Sequence, residues 1–244
     1  FMLVHDAETG AREVVDGRET APAGAFPEMF MAEDGTALSL RERVQSGHAV
    51  GVPGAIALYW TAHQRHGVLP WGELFRPAIE LAENGFEVSQ RMHDSLVRIA
   101  GYTDIEDNPD TGAYFYPGGE ALPVGHLLKN PDYAATLRGV VERGPEAFYE
   151  GPVAEAIVAR AAQGPRGSTM TVEDVAAYEA KVREPVCGRY REYEVCSAPP
   201  PSSGVAVIEI LGLLERLAPG GIENDAEGWG QYVRAQLLSY ADRD

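Results

Sequence analysis

Few side chains in these 244 residues are arranged for chemistry, and the arginine of Asp16-Gly17-Arg18-Glu19-Thr20-Ala21-Pro22 is the foremost candidate. It follows an extended segment, Glu13-Val14-Val15, and a proline stops the stretch. That setting lets an arginine leave a sheet edge and point into a cleft. A guanidinium presents a planar fork of donors, which suits bidentate capture of a carboxylate. On residue chemistry alone, an Arg–Glu ion pair flanking a surface turn is the stronger reading.

The other constellations are weaker. His63-Gln64-Arg65-His66 sets two imidazoles near a helix C-terminus, where the helix dipole explains them better than metal ligation does. Asp104, Glu106, Asp107 and Asp110 resemble the start of a calcium loop, but the residue at the loop's glutamate position is Phe115, so a solvated acidic loop is preferred. Ser202 and Ser203 precede a helix and can either cap it or donate to an anion at its N-terminus. No nucleophile elbow, phosphate-binding loop or dinucleotide fingerprint occurs, so no cofactor is expected.

Cys187 and Cys196 flank a segment that alternates like a hairpin turning near Arg191-Glu192. Symmetry about that turn sets the two opposite each other, close enough for a cross-strand bridge in an oxidising compartment. Two independent small apolar side chains is the preferred reading. The spacing does not make a metal site.

Composition bounds the class. The chain is an ordinary globular sequence, 45% hydrophobic and 23% charged, long enough for one large domain. A formal charge of −17 excludes nucleic acid and anionic membranes as natural partners. An acidic protein that binds an anionic small molecule needs a local arginine site against its own field, and Arg18 fits that need. No apolar run reaches the length of a membrane span. The start, Phe1-Met2-Leu3-Val4-His5, has no signal-peptide features and enters an apolar strand at once, so an upstream segment is expected.

The elements that must position these residues follow from pattern. Residues 1–18 read as a hairpin turning through Glu8-Thr9-Gly10. A short polar helix is expected over Leu40 to Gln45 and a compact turn at Gly51-Val52-Pro53-Gly54. Helices follow over Ala55 to His66, Trp71 to Asn84 closed by Gly85, and from a Ser89 cap to about Ala100. Residues 101–130 read as loop with one strand candidate, Tyr114-Phe115-Tyr116. Further helices are expected at about 132–143, 153–163, from a Thr171 cap, at 205–217 and at 226–241. The last carries Trp229, Val233, Leu237 and Tyr240 on one face.

The order of several segments resembles the γ-glutamyltranspeptidase family. They are Phe1-Met2-Leu3-Val4, Asp16 to Pro22, Gly51-Val52-Pro53-Gly54, Leu69-Pro70-Trp71, and Pro77-Ala78-Ile79 with Leu81 to Phe86. Gly144-Pro145 with Phe148-Tyr149, Glu173-Asp174 with Ala177-Tyr178, Pro199 to Gly204, and Tyr240 to Arg243 complete the set. The resemblance covers essentially the whole chain. It implies an α+β class, part of a four-layered αββα N-terminal nucleophile hydrolase fold, with residues 1–244 as one domain of the large subunit. It further implies that a precursor is cut to expose an N-terminal threonine on a small subunit, which attacks with its own α-amine as base. The donor would be a γ-glutamyl compound such as glutathione, the acceptor water or an amine, and the location periplasmic or extracellular. By position, Arg18 would bind the donor α-carboxylate.

By the same resemblance, a glycine-rich stretch is expected before Phe1, and the catalytic threonine after Asp244. Thr169 and Thr171 lie inside the chain without a free amine and do not replace it. Val205 stands where the family has a second glycine. The rivals are an acylase for β-lactam side chains, a poly-γ-glutamate processing enzyme, or a non-catalytic remnant that scaffolds or binds a partner.

Overall fold

A computed structural model describes residues 1–243. The described residues are α+β, rich in helix with short sheets, and fall into two compact units. One comprises Phe1–Arg18, Gly54–Arg65 and Glu179–Asp244; the other comprises Glu19–Pro53 and His66–Tyr178.

The first unit begins with the expected hairpin. Strands Met2–His5 and Arg12–Asp16 pair antiparallel, with Leu3 opposite Val14 and Met2 opposite Val15. Asp6 makes the turn, since its carboxylate accepts from the N–H groups of Glu8 and Thr9 at 2.8 and 3.0 Å. A third strand, Lys181–Arg183, pairs antiparallel on the other side of Arg12–Asp16. Helix Ala55–His66 covers this sheet. Val15 has no exposed surface and packs with Leu58 and Ala62 of that helix, flanked by Met2 and Ala180. Burying three such side chains contributes on the order of several kcal/mol, which pins the register of the strand that leads to Arg18.

The cysteine hairpin also forms, as Val186–Tyr190 against Tyr193–Ser197, with Cys187 directly opposite Cys196. The two are joined in a disulfide, which corrects the reading of them as independent apolar side chains. Cross-strand pairing left their sulfurs within bonding reach. The Arg12 guanidinium pairs with Glu194 at 2.6 Å and ties this hairpin to the first. Helix Gly204–Leu217 follows, then Ala226–Arg243. Trp229, Val233, Leu237 and Tyr240 do share a face of the last helix, but that face is exposed. The helix instead buries its small-residue side, Gly228, Ala235 and Ser239. The Ser239 hydroxyl donates to Glu209 at 2.9 Å across to the neighbouring helix.

In the second unit, helix Trp71–Asn84 ends at Gly85 with φ 90°, and Pro131–Arg143 runs beside it. The Trp71 indole N–H donates to the Val140 carbonyl at 3.0 Å, and Arg138 pairs with Glu83. Residues 101–130 are more ordered than expected. The strand candidate at Tyr114–Tyr116 is the end of a helix, Pro109–Phe115. Asn108 caps that helix and Pro109 opens it, a start signal that outweighs the aromatic run. Tyr114 and Phe115 then pack on a core of Val88, Leu122 and Leu128. Gly51–Gly54 is not a tight turn either: Val52 and Thr20 form an isolated antiparallel bridge.

Candidate functional site

The site is built from the end of strand Arg12–Asp16. Its last residue, Asp16, accepts from the Arg18 backbone N–H at 3.0 Å, an Asx-type turn that takes the chain off the sheet. Gly17 lies against the first turn of helix Ala55–His66: a Cβ there would collide with the Leu58 side chain and lie 2.7 Å from the Gly54 carbonyl oxygen. The glycine therefore lets the turn sit down on the helix. Arg18 emerges exposed, and its Nη1 donates to the Pro201 carbonyl at 3.3 Å.

The loop Pro199–Ser203 lies beside Arg18 and supplies that acceptor. Its Pro200–Pro201 peptide bond is cis. The Pro200 carbonyl accepts from Arg183 Nη1 at 2.9 Å, and the same Nη1 donates to Asp16 Oδ2 at 2.9 Å. The Asp16 side chain is only 14% exposed, so this ion pair is partly shielded from water and stronger than a surface pair. Beyond the loop, Gly204 opens its helix where a Cβ would overlap Ser197, so the chain turns there only with glycine. The two guanidinium groups, one carboxylate and two proline carbonyls form a polar cluster at one end of this unit. Such a cluster can bind and orient an anion.

The structure thus brings Arg18 to the Pro199-to-Gly204 segment, which lies far from it in sequence. Sequence reasoning did not single out Arg183. It lies 167 positions from Asp16, inside a short strand with no motif of its own; only Val14 facing Arg183 across the sheet reveals it. Ser203 occupies the N-cap position without a side-chain cap bond, and Ser202 donates its N–H to the Pro199 carbonyl at 3.2 Å. The capping reading therefore does not hold for the Ser203 hydroxyl.

The remaining candidates are structural. His63 stacks on Trp60 at 6.5 Å, and Arg65 pairs with Glu13 through Nε at 2.8 Å. In the acidic loop, both carboxylate oxygens of Asp104 accept from Arg41 Nη2 at 2.9 Å and Asp110 is paired by Arg160. Cys187, Glu194 and Cys196 are close together, but the bridged sulfurs are not thiolates and offer no ordinary metal ligand. Thr171 is a helix cap in a reciprocal capping box with Asp174. The Asp174 carboxyl is held below its usual range, first by the N–H of Ala23 and then by that of Thr171.

The sequence profile described as Gamma-glutamyltranspeptidase matches residues 1–244. The chain is 34% identical over 247 residues to the glutathione hydrolase proenzyme of Bacillus subtilis (strain 168), covering all of this chain and 41% of that protein. It is 36% identical over 238 residues to the acylase ACY 1 proenzyme of Pseudomonas sp. (strain SE83), covering 95% of this chain and 41% of that protein. Its fold is similar to the crystal structure of Helicobacter pylori gamma-glutamyltranspeptidase, with a TM-score of 0.88 and 32% identity over 99% of this chain and 68% of that one. The chain spans about two fifths of the length of these curated relatives.

Proposed function

We propose, from the premise that this chain belongs to the γ-glutamyltranspeptidase family, that it is the large-subunit segment of an enzyme that transfers or hydrolyses γ-glutamyl groups. In this reading a threonine Oγ on a small subunit of the same precursor attacks the γ-carbonyl of a glutathione-type donor. The leaving amine takes the proton that the threonine's own α-amine has removed. Water or an acceptor amine then opens the ester and regenerates the hydroxyl. Arg18 performs none of this chemistry. It grips the donor α-carboxylate and so fixes where the γ-carbonyl lies.

The observation that carries the reading is the Arg18 guanidinium, exposed at the end of its strand and held beside a loop of carbonyls and a second arginine. The matching family segments, Asp16 to Pro22 and Pro199 to Gly204, meet at this point. Among the described residues no helix is long and apolar enough to cross a membrane, and the Cys187–Cys196 bridge supports an oxidising, periplasmic or extracellular compartment.

The test uses the full-length gene product. Intact mass is expected to show two chains, the smaller beginning with threonine, and the complex should cleave a γ-glutamyl anilide. Arg18→Ala is expected to lower kcat/KM for that donor by about a hundredfold, near 3 kcal/mol, as a charge-assisted bidentate contact is lost. An uncut, inactive chain would support the scaffold reading instead. A second reading, acylase action on β-lactam side chains, draws on the similarity to the acylase proenzyme. An acylase would hydrolyse such an amide in preference to the γ-glutamyl anilide.

A further inference from the structure

We propose that Asp16 and Arg183 are positioning residues, which aim the Arg18 guanidinium and thereby set discrimination for donors that carry an α-carboxylate. This rests on the proposed carboxylate-binding role of Arg18.

The contacts close a ring. Asp16 divides its two oxygens: Oδ1 accepts from the Arg18 backbone N–H at 3.0 Å and Oδ2 from Arg183 at 2.9 Å. The same Arg183 nitrogen donates to the Pro200 carbonyl at 2.9 Å. The next carbonyl along, that of Pro201, accepts from the Arg18 guanidinium at 3.3 Å. Arg18 is thus anchored at its backbone and at its side-chain tip by one connected set of groups. An arginine side chain loses rotamer entropy when it is fixed, so a tip already held near its bound position loses less on gripping a ligand. Successive prolines fix φ in the loop that presents both carbonyls, which makes them stationary acceptors.

Charge assigns Arg183 its second task. Asp16 lies two residues before Arg18, and an unpaired carboxylate there would weaken the attraction of the site for an anion. Arg183 neutralises it at 2.9 Å, and the Asp16 contact to Arg18 is through the backbone, not the guanidinium. Arg183 thereby offsets the Asp16 charge beside the proposed carboxylate grip. The competing role is a strut between paired strands, since Val14 faces Arg183 and Asp16 faces Lys181 in the sheet. A strut would affect folding and every substrate alike.

The experiment separates the two roles in the full-length processed enzyme. Kinetics are measured with a γ-glutamyl anilide and with the γ-aminobutyryl anilide, which keeps the amine and lacks the α-carboxylate. The proteins are wild type, Arg18→Ala, Arg183→Ala, Asp16→Asn and each of the latter two combined with Arg18→Ala. Arg183→Ala is expected to raise KM for the γ-glutamyl donor about tenfold with kcat nearly unchanged, and Asp16→Asn, which loosens the ring but also removes a negative charge, by a smaller factor. They should leave the γ-aminobutyryl donor unmoved and add nothing in the Arg18→Ala background, while Arg183→Lys restores part of the loss. Equal losses on both donors, or full additivity with Arg18→Ala, would overturn the proposal and leave a strut. Should Arg183→Ala fail to mature, Arg183→Lys and Asp16→Asn decide by the same ratio of donors. If Arg18→Ala itself leaves that ratio at the wild-type value, the carboxylate reading fails and this inference falls with it. If Arg18→Ala alone changes it, only this inference fails.

Discussion

The carboxylate of Asp174 accepts a hydrogen bond from the backbone N–H of Ala23, 3.0 Å away and 151 positions earlier in the chain. Its other oxygen accepts from the Thr171 N–H at 2.9 Å, so one side chain both caps the short helix Val172–Ala176 and holds the segment just past Pro22. These bonds favour the ionised form and lower its pKa in the folded protein. A depressed carboxyl stabilises the fold above its unfolded value and loses that contribution as pH falls through the folded value. Asp174→Asn is therefore expected to cost about 1 kcal/mol at neutral pH, the scale of a cap. The gap from wild type should narrow as pH falls through the lowered folded value, beneath the ordinary carboxylate range. Denaturant melts of the full-length protein across that range check it; a pH-independent gap would show that shape, not charge, matters here.

Serines at helix starts make a paired prediction. Ser89 accepts from the Met92 N–H at 3.2 Å, whereas Ser203 stands at its N-cap position with no such bond. Ser89→Ala should cost about 1 kcal/mol and Ser203→Ala less than about 0.5 kcal/mol in the same melts. The reverse order would mean that the Ser203 hydroxyl has a structural task the geometry does not reveal.

The Cys187–Cys196 bridge closes a loop with a sequence separation of 9. Constraint of so short a loop in the unfolded chain contributes about 2–3 kcal/mol. The double variant Cys187→Ala/Cys196→Ala should lose that amount, and unfolded, unreduced protein should yield no titratable thiol from these two positions. Full thiol reactivity in protein purified without reductant would rule the bridge out.

Local signals carried much of the fold. Helices Ala55–His66 and Trp71–Asn84 lie where periodicity and a closing glycine put them, because each boundary is set by neighbours in sequence. The same logic failed at Tyr114–Tyr116, where an Asn-Pro helix start outweighed β-prone aromatics. It also could not predict that the apolar stripe of the last helix faces outward, since a small-residue face packs more closely on its neighbour. In the candidate site, the proposed anchoring role of Arg18 comes from resemblance, since residue chemistry alone favoured a surface ion pair. Arg183 was not legible at all, because its partners are a carboxylate and a carbonyl brought to it by sheet register and by a loop.

Arg18→Lys separates charge from shape in the proposed grip. Lysine keeps the positive charge but presents a single ammonium in place of the planar fork, so one of two parallel contacts to a carboxylate is lost. Its shorter reach also leaves the Pro201 carbonyl without the guanidinium that now donates to it at 3.3 Å. The expected loss in kcat/KM for a γ-glutamyl donor is about tenfold, near 1.4 kcal/mol, between wild type and Arg18→Ala. It should reside in KM, because a contact made equally in ground and transition states changes binding without changing turnover. A Lys variant as poor as Ala would make geometry the whole of the effect. One equal to wild type would reduce Arg18 to a point charge, and a drop in kcat alone would place the residue closer to the reacting carbonyl than its position at the strand end implies.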